Sequence, residues 1–208
     1  MTYSTLDEGR RLIIEIMATG TDTVSGMRQI LDRCRQSHPT GIGHLEELDI
    51  GTDLQALRTW LLTVLRVEPP SSNIASLWFG LYIPERDNER QGYDLYVAGT
   101  DSFDPVDTTG DWLGDPSYWP KHRYAHSRVL RALSALKVDV ATPTTSIARY
   151  ILPLAYACLS VRETIQSIEP ALLCGNRLSR GLVVGFDEGD YIVLGTIDMG
   201  GLQSSSHQ

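Results

Sequence analysis

The chain has 208 residues, 42% of them hydrophobic and 21% charged, with 26 acidic against 18 basic side chains. That composition excludes a disordered, collagenous or membrane-spanning polypeptide. A net charge of -8 also argues against general binding to phosphate backbones.

The first seventy residues read as three helices. Thr5 and Glu8 have capping-box spacing, and Leu12, Ile13, Ile16 and Met17 follow on one face before Gly20. A second helix starts near Asp22, with Val24, Met27, Ile30, Leu31 and Cys34 as its apolar stripe, and ends at His38-Pro39. After an acidic loop, a third helix starts at Thr52, paired with Gln55, and Pro69-Pro70 stops it. Two aromatic-rich runs, 74–83 (IASLWFGLYI) and 93–98 (YDLYVA), then flank a polar turn and read as a hairpin. Residues 99–124 show neither a helix nor a strand period; the segment contains Phe103, Trp112, Tyr118 and Trp119, which can pin it to the core. Helical patterns return at 126–136 and 144–168, the second interrupted by Pro153, where it should start or kink. Its run LPLAYACLSV is apolar nearly all round, as a central buried helix requires. A second hairpin, 181–186 and 191–197, flanks the turn Asp187-Glu188-Gly189-Asp190.

The expected architecture is α+β: an antiparallel sheet of about four strands in two hairpins, packed with about five helices, the N-terminal third all-helical. Residues 1–202 form a single domain in this reading, with 1–70 as a helical lobe, 74–202 as the sheet-containing part and 203–208 as a disordered tail.

Motifs of catalysis are scarce. GIG at 41–43 follows no strand, and neither GxxxxGK[ST], GxSxG nor HExxH occurs. His122 and His126 have the i,i+4 spacing that places two metal ligands on one helix face, with Asp111 or Asp115 as a carboxylate third. That would suit a metal-dependent hydrolase, but Lys121, Arg123, Arg128 and Arg131 beside them would repel a cation. Cys34, Cys158 and Cys174 are scattered, without a CxxC pair, and read as reduced, buried thiols. With no basic start before an apolar run, MTYSTLDEGRR is no signal peptide, so a cytoplasmic location is expected. No cofactor is implied.

Charge layout is more informative. Nine acids fall between Glu85 and Asp115 (Glu85, Asp87, Glu89, Asp94, Asp101, Asp104, Asp107, Asp111, Asp115), opposed only by Arg86 and Arg90. From Lys121 to Lys137 every charge is basic. Either the basic segment neutralises the acidic one internally, or the acidic, aromatic loop meets a basic partner. On the second reading the contact surface comprises Asp101, Asp104, Asp107, Asp111, Trp112, Asp115, Tyr118 and Trp119. A third reading makes the helical N-terminal third the docking face of an adaptor or oligomeric subunit.

The stretches WFGLYIPERDNERQGYDLYVAGTDSFDP, DWLGDPSYWPKHRYAHSRVL and GLVVGFDEGDYIVLG resemble a small bacterial family. Its members share a WFGL strand, a DLYV-G strand, a W-P--RY segment and a closing VGFD-GD hairpin, and some look like immunity proteins of polymorphic toxin systems. The resemblance covers roughly residues 75–202. It implies a non-enzymatic inhibitor that binds a cognate toxin and blocks a basic active-site cleft, with no direct contact to nucleic acid or membrane.

Overall fold

A computed structural model of the chain describes residues 6–37, 48–84, 92–107, 109–134, 143–187 and 189–204, with backbone alone for 36–37 and 143–149. The helices are α1 (Leu6–Ala18), α2 (Thr23–Ser37), α3 (Ile50–Val67), α4 (Arg128–Ser134), α5 (Pro143–Gln166) and α6 (Pro170–Cys174). The strands are β1 (Ser76–Tyr82), β2 (Asp94–Thr100), β3 (Tyr124–Ala125), β4 (Ser179–Phe186), β5 (Tyr191–Asp198) and β6 (Gly201–Ser204).

Local chemistry explains the starts. Asp22 caps α2 by accepting from the Ser25 backbone N–H at 2.8 Å. Asp49 does the same for α3, accepting from the Thr52 N–H at 3.0 Å. The true cap of α3 is therefore Asp49 with Thr52, three residues before the Thr52–Gln55 pair the sequence suggested. Thr5 of the first expected capping box lies outside the described residues. Within α2, Met27, Ile30, Leu31 and Cys34 are buried as their spacing predicts, whereas Val24 is exposed.

The six strands form one sheet in the order β3-β2-β1-β4-β5-β6. Both expected hairpins are present, β1–β2 and β4–β5. They join through a parallel β1–β4 pair at the centre, so the sheet is mixed and not antiparallel throughout. Two short strands extend it. β3 is only two residues long and pairs with β2, and β6 places Gln203 and Ser204 in the ladder against β5, where the sequence suggested a tail. Residues 205–208 lie outside the described residues. α6 was also missed: the five residues that start at Pro170 carry too little periodicity to declare a helix.

α5 is the hub. It starts at Pro143 and continues through Pro153, so this proline does not begin the helix. From Ile151 to Cys158, Pro153 included, its residues are buried, and it packs against α1, α2, α3, α4 and β4. One contiguous core holds Ile13, Met27, Leu57, Leu130, Leu154 and Leu173, one from each helix, together with Leu77, Phe79, Leu95, Val97, Leu182, Val184 and Ile192 from the sheet. The helical third thus shares its core with the sheet. Among the described residues no helix is long and apolar enough to cross a membrane.

Candidate functional site

Side chains alternate across a strand, so the residues between those core positions point away from the helices. Trp78, Tyr96, Ala98, Val183 and Val193 form a second, smaller cluster on that face. It is covered not by helices but by the long loop after β2. Phe103, Trp112 and Leu113 of the loop pack on it with Tyr191, the rings meeting edge to face at 5.4 Å (Phe103–Trp112) and 6.3 Å (Trp112–Tyr191). Backbone bonds exchanged by Tyr118 and Gly99, both 2.9 Å, tie the loop's far end to β2. The Tyr191 hydroxyl donates to the Asp107 carbonyl at 2.7 Å and holds its middle. The Asp104 carboxylate accepts from the Val106 and Asp107 N–H groups, and Asp107 accepts from Thr109, so two acids brace the loop itself.

Between this loop and the β4–β5 turn lies an open cleft of about 340 Å³, lined among others by Trp78, Tyr96, Leu113, Trp119, Asp187 and Tyr191. Glycines in the strands make room for its rings. A Cβ on Gly80 would fall 2.2 Å from the Tyr96 ring, and one on Gly185 would fall 2.7 Å from Trp78, so a side chain at either position would displace a wall of the cleft. The Trp78 indole N–H donates to the Tyr96 hydroxyl at 2.8 Å, and that hydroxyl donates to the Asp187 carboxylate at 2.6 Å. Burial first, then the Asp187 bond, push the Tyr96 phenol well above its ordinary pKa, so it stays a protonated donor.

The eight residues singled out by the sequence divide by chemistry. Asp101, Asp104, Asp111 and Asp115 are exposed and Asp107 is half-buried. Trp112 packs onto the sheet, and Tyr118 donates to the Glu68 carbonyl at 2.6 Å, so both act mainly as anchors of the loop. Trp119 remains 46% exposed and meets Tyr96 edge to face. Sequence reasoning missed Trp78, Tyr96 and Asp187, which become neighbours only when β1, β2 and β4 pair. It also missed Val106, 82% exposed beside Asp107. The strand glycines were the signal available: WFGLY and VVGF each set one between bulky residues.

The basic segment does not cover the acidic loop. Arg131 pairs with Asp94 at 2.8 Å, at the start of β2. Arg123 lies over the Trp119 and Tyr124 rings, 4.5 Å from each centroid. Among the described residues no basic side chain forms an ion pair with Asp101, Asp104, Asp107, Asp111 or Asp115. Glu85, Asp87, Glu89 and Lys137 lie outside the described residues.

His122 and His126 do not share a helix face. α4 begins only at Arg128, and the chain between the two histidines is the strand β3. His122 Nδ1 is 2.9 Å from Glu68, and His126 Nδ1 is 3.2 Å from Asp94, so each serves a different carboxylate. The Lys121 N–H and then the His122 ring lower the Glu68 pKa by bonding its charged form. Among the described residues no group of three His, Cys, Asp or Glu side chains gathers as metal ligands would. No family model, curated protein or solved structure matches this chain.

Proposed function

We propose that the chain is an immunity protein: a non-catalytic inhibitor that neutralises a cognate bacterial toxin by docking its acidic, aromatic loop onto a basic active-site cleft. The observation that carries this reading is the free state of the loop's charge. Five aspartates, Asp101 to Asp115, stand without a cation among the described residues, although a basic segment follows them directly in the chain. A loop built only to hold the fold together would gain from pairing with that segment. Braced by its own turns and by Phe103, Trp112 and Tyr118, it instead presents its charge pre-ordered, which lowers the entropy lost on docking. Trp119 and Val106 add apolar contact beside the charge, the mixture found at interface centres and rims.

The test is co-expression with the toxin domain encoded beside this chain. Neutralisation and a complex in solution are expected; absence of both overturns the reading. The variant of choice reverses Asp101, Asp111 and Asp115 to lysine, because these three brace no turn among the described residues. Association should slow by about tenfold or more at low salt, with loss of the salt dependence that the unaltered protein shows. Unchanged kinetics would place the interface elsewhere.

A further inference from the structure

We infer that the cleft on the outer sheet face is a subsite for one arginine side chain of the basic partner, its guanidinium set among the aromatic walls and held by the Asp187 carboxylate. This rests on the docking proposed above and names the group that enters. The walls decide the chemistry. Nearly all their side-chain donors are already spent: the Trp78 N–H on Tyr96, the Tyr96 hydroxyl on Asp187, the Tyr191 hydroxyl on the Asp107 carbonyl and the Thr109 hydroxyl on the Asp107 carboxylate. Only the Trp119 indole is left to donate. What the cleft offers is acceptors, chiefly the Asp187 Oδ2, which takes no hydrogen bond among the described residues, and the π surfaces of five aromatic side chains.

An anion finds a single unspent side-chain donor there, the Trp119 indole, and meets a carboxylate. A guanidinium has donors only, is planar, and both stacks on rings and forks onto a carboxylate. The protein already makes the stacking half of this contact with its own chain, where Arg123 lies over Trp119 and Tyr124 at 4.5 Å. Arg123 does not line the cleft, but its charge opposes a second cation nearby. The rings alone therefore do not suffice, and Asp187 must supply the balance, backed by the acidic loop; Asp190 in the same turn is already paired with Arg10 at 3.2 Å.

The test uses the tripeptide acetyl-Gly-Arg-Gly-amide and its citrulline analogue, which keeps the shape and loses the charge, followed by the indole N–H signals of the full chain in nuclear magnetic resonance spectra. The Arg peptide should shift the Trp78 and Trp119 signals saturably and leave Trp60, whose N–H is bound to the His122 carbonyl, unmoved. The citrulline peptide should bind at least tenfold more weakly. Asp187→Asn should weaken the Arg peptide by tenfold or more while Asp32→Asn, on α2, does not, the same spectra reporting that each variant is folded. Equal binding of both peptides, no saturable shift, or no loss in Asp187→Asn overturns the inference. A toxin neutralised equally well by Asp187→Asn and Trp119→Ala refutes the subsite and keeps the immunity reading. Arginine binding in the cleft without any neutralisation does the reverse.

Discussion

Asp53 is a carboxylate on α3, only 5% exposed. It accepts from the Ser127 hydroxyl at 2.6 Å, the Arg128 N–H at 2.8 Å and the Tyr156 hydroxyl at 2.6 Å. Three donors, from Ser127 just before α4, from the first residue of α4 and from α5, replace the water that a buried anion needs. One of them, the Arg128 N–H, is an otherwise orphaned donor at the first residue of α4. Asp53→Asn turns an acceptor pair into an amide that aims N–H groups at donors, and should destabilise the fold by about 3 kcal/mol. Tyr156→Phe removes one donor and leaves two, and should cost about 1 kcal/mol. Urea denaturation checks the order of the two, and the reverse order would refute this account. Nothing in the sequence marks Asp53 for this role. In TDLQAL it looks like a first-turn acid favoured by the helix dipole, and its partners lie 74 to 103 residues away. Trp78, Tyr96 and Asp187 were hidden for the same reason. Asp101 to Asp115 were legible because their meaning, a run of one charge, is local.

Elements were readable where they repeat their own pattern. Long amphipathic helices and both hairpins could be placed from periodicity, whereas β3, β6 and α6 are shorter than one readable period. The pairing of β1 with β4 has no local signature, because apolar strands accept parallel and antiparallel neighbours alike. What joins these elements is visible in Arg180. Its side chain is wholly buried, yet among the described residues no carboxylate pairs with it. Its guanidinium donates to the carbonyls of Leu173 and Cys174 in α6, of Pro70 and Ser71 after α3, and of Ile74 before β1. Burial lowers its pKa, and carbonyl dipoles take the place of a counter-ion. Arg180 thus ties β4 to two segments that carry no other long-range signal in the sequence. Arg180→Lys keeps the charge but has three donors for five acceptors, and should destabilise by about 3 kcal/mol. A denaturation midpoint equal to that of the unaltered chain would show that charge alone suffices.

For the molecule as a whole, the shared core makes a prediction about motion. Cys34 in α2, Cys158 in α5 and Cys174 in α6 are all buried free thiols. Burial pushes Cys34 up to about 12 and raises Cys158 and Cys174 as well, so little reactive thiolate exists at neutral pH. If α1–α3 moved as a lobe apart from the sheet, Cys34 would become reactive before the other two. With one core, all three should label slowly and together, at a rate set by global opening. Disulfide-exchange labelling with mass-spectrometric readout at rising urea tests this; early, selective labelling of Cys34 would reveal a separable helical third.

The central parallel pair also dictates the order in which the protein can be made. β1 is followed at once by β2, but its other neighbour, β4, is roughly a hundred residues further on. While a ribosome is still adding α4 and α5, the nascent β1 has one edge paired and the other bare. Open edges of this kind recruit other strands, and contacts so distant in sequence close slowly. The newborn chain passes through a period when shielding must come from outside, and it ends only when β4 emerges and pairs with the bare edge of β1.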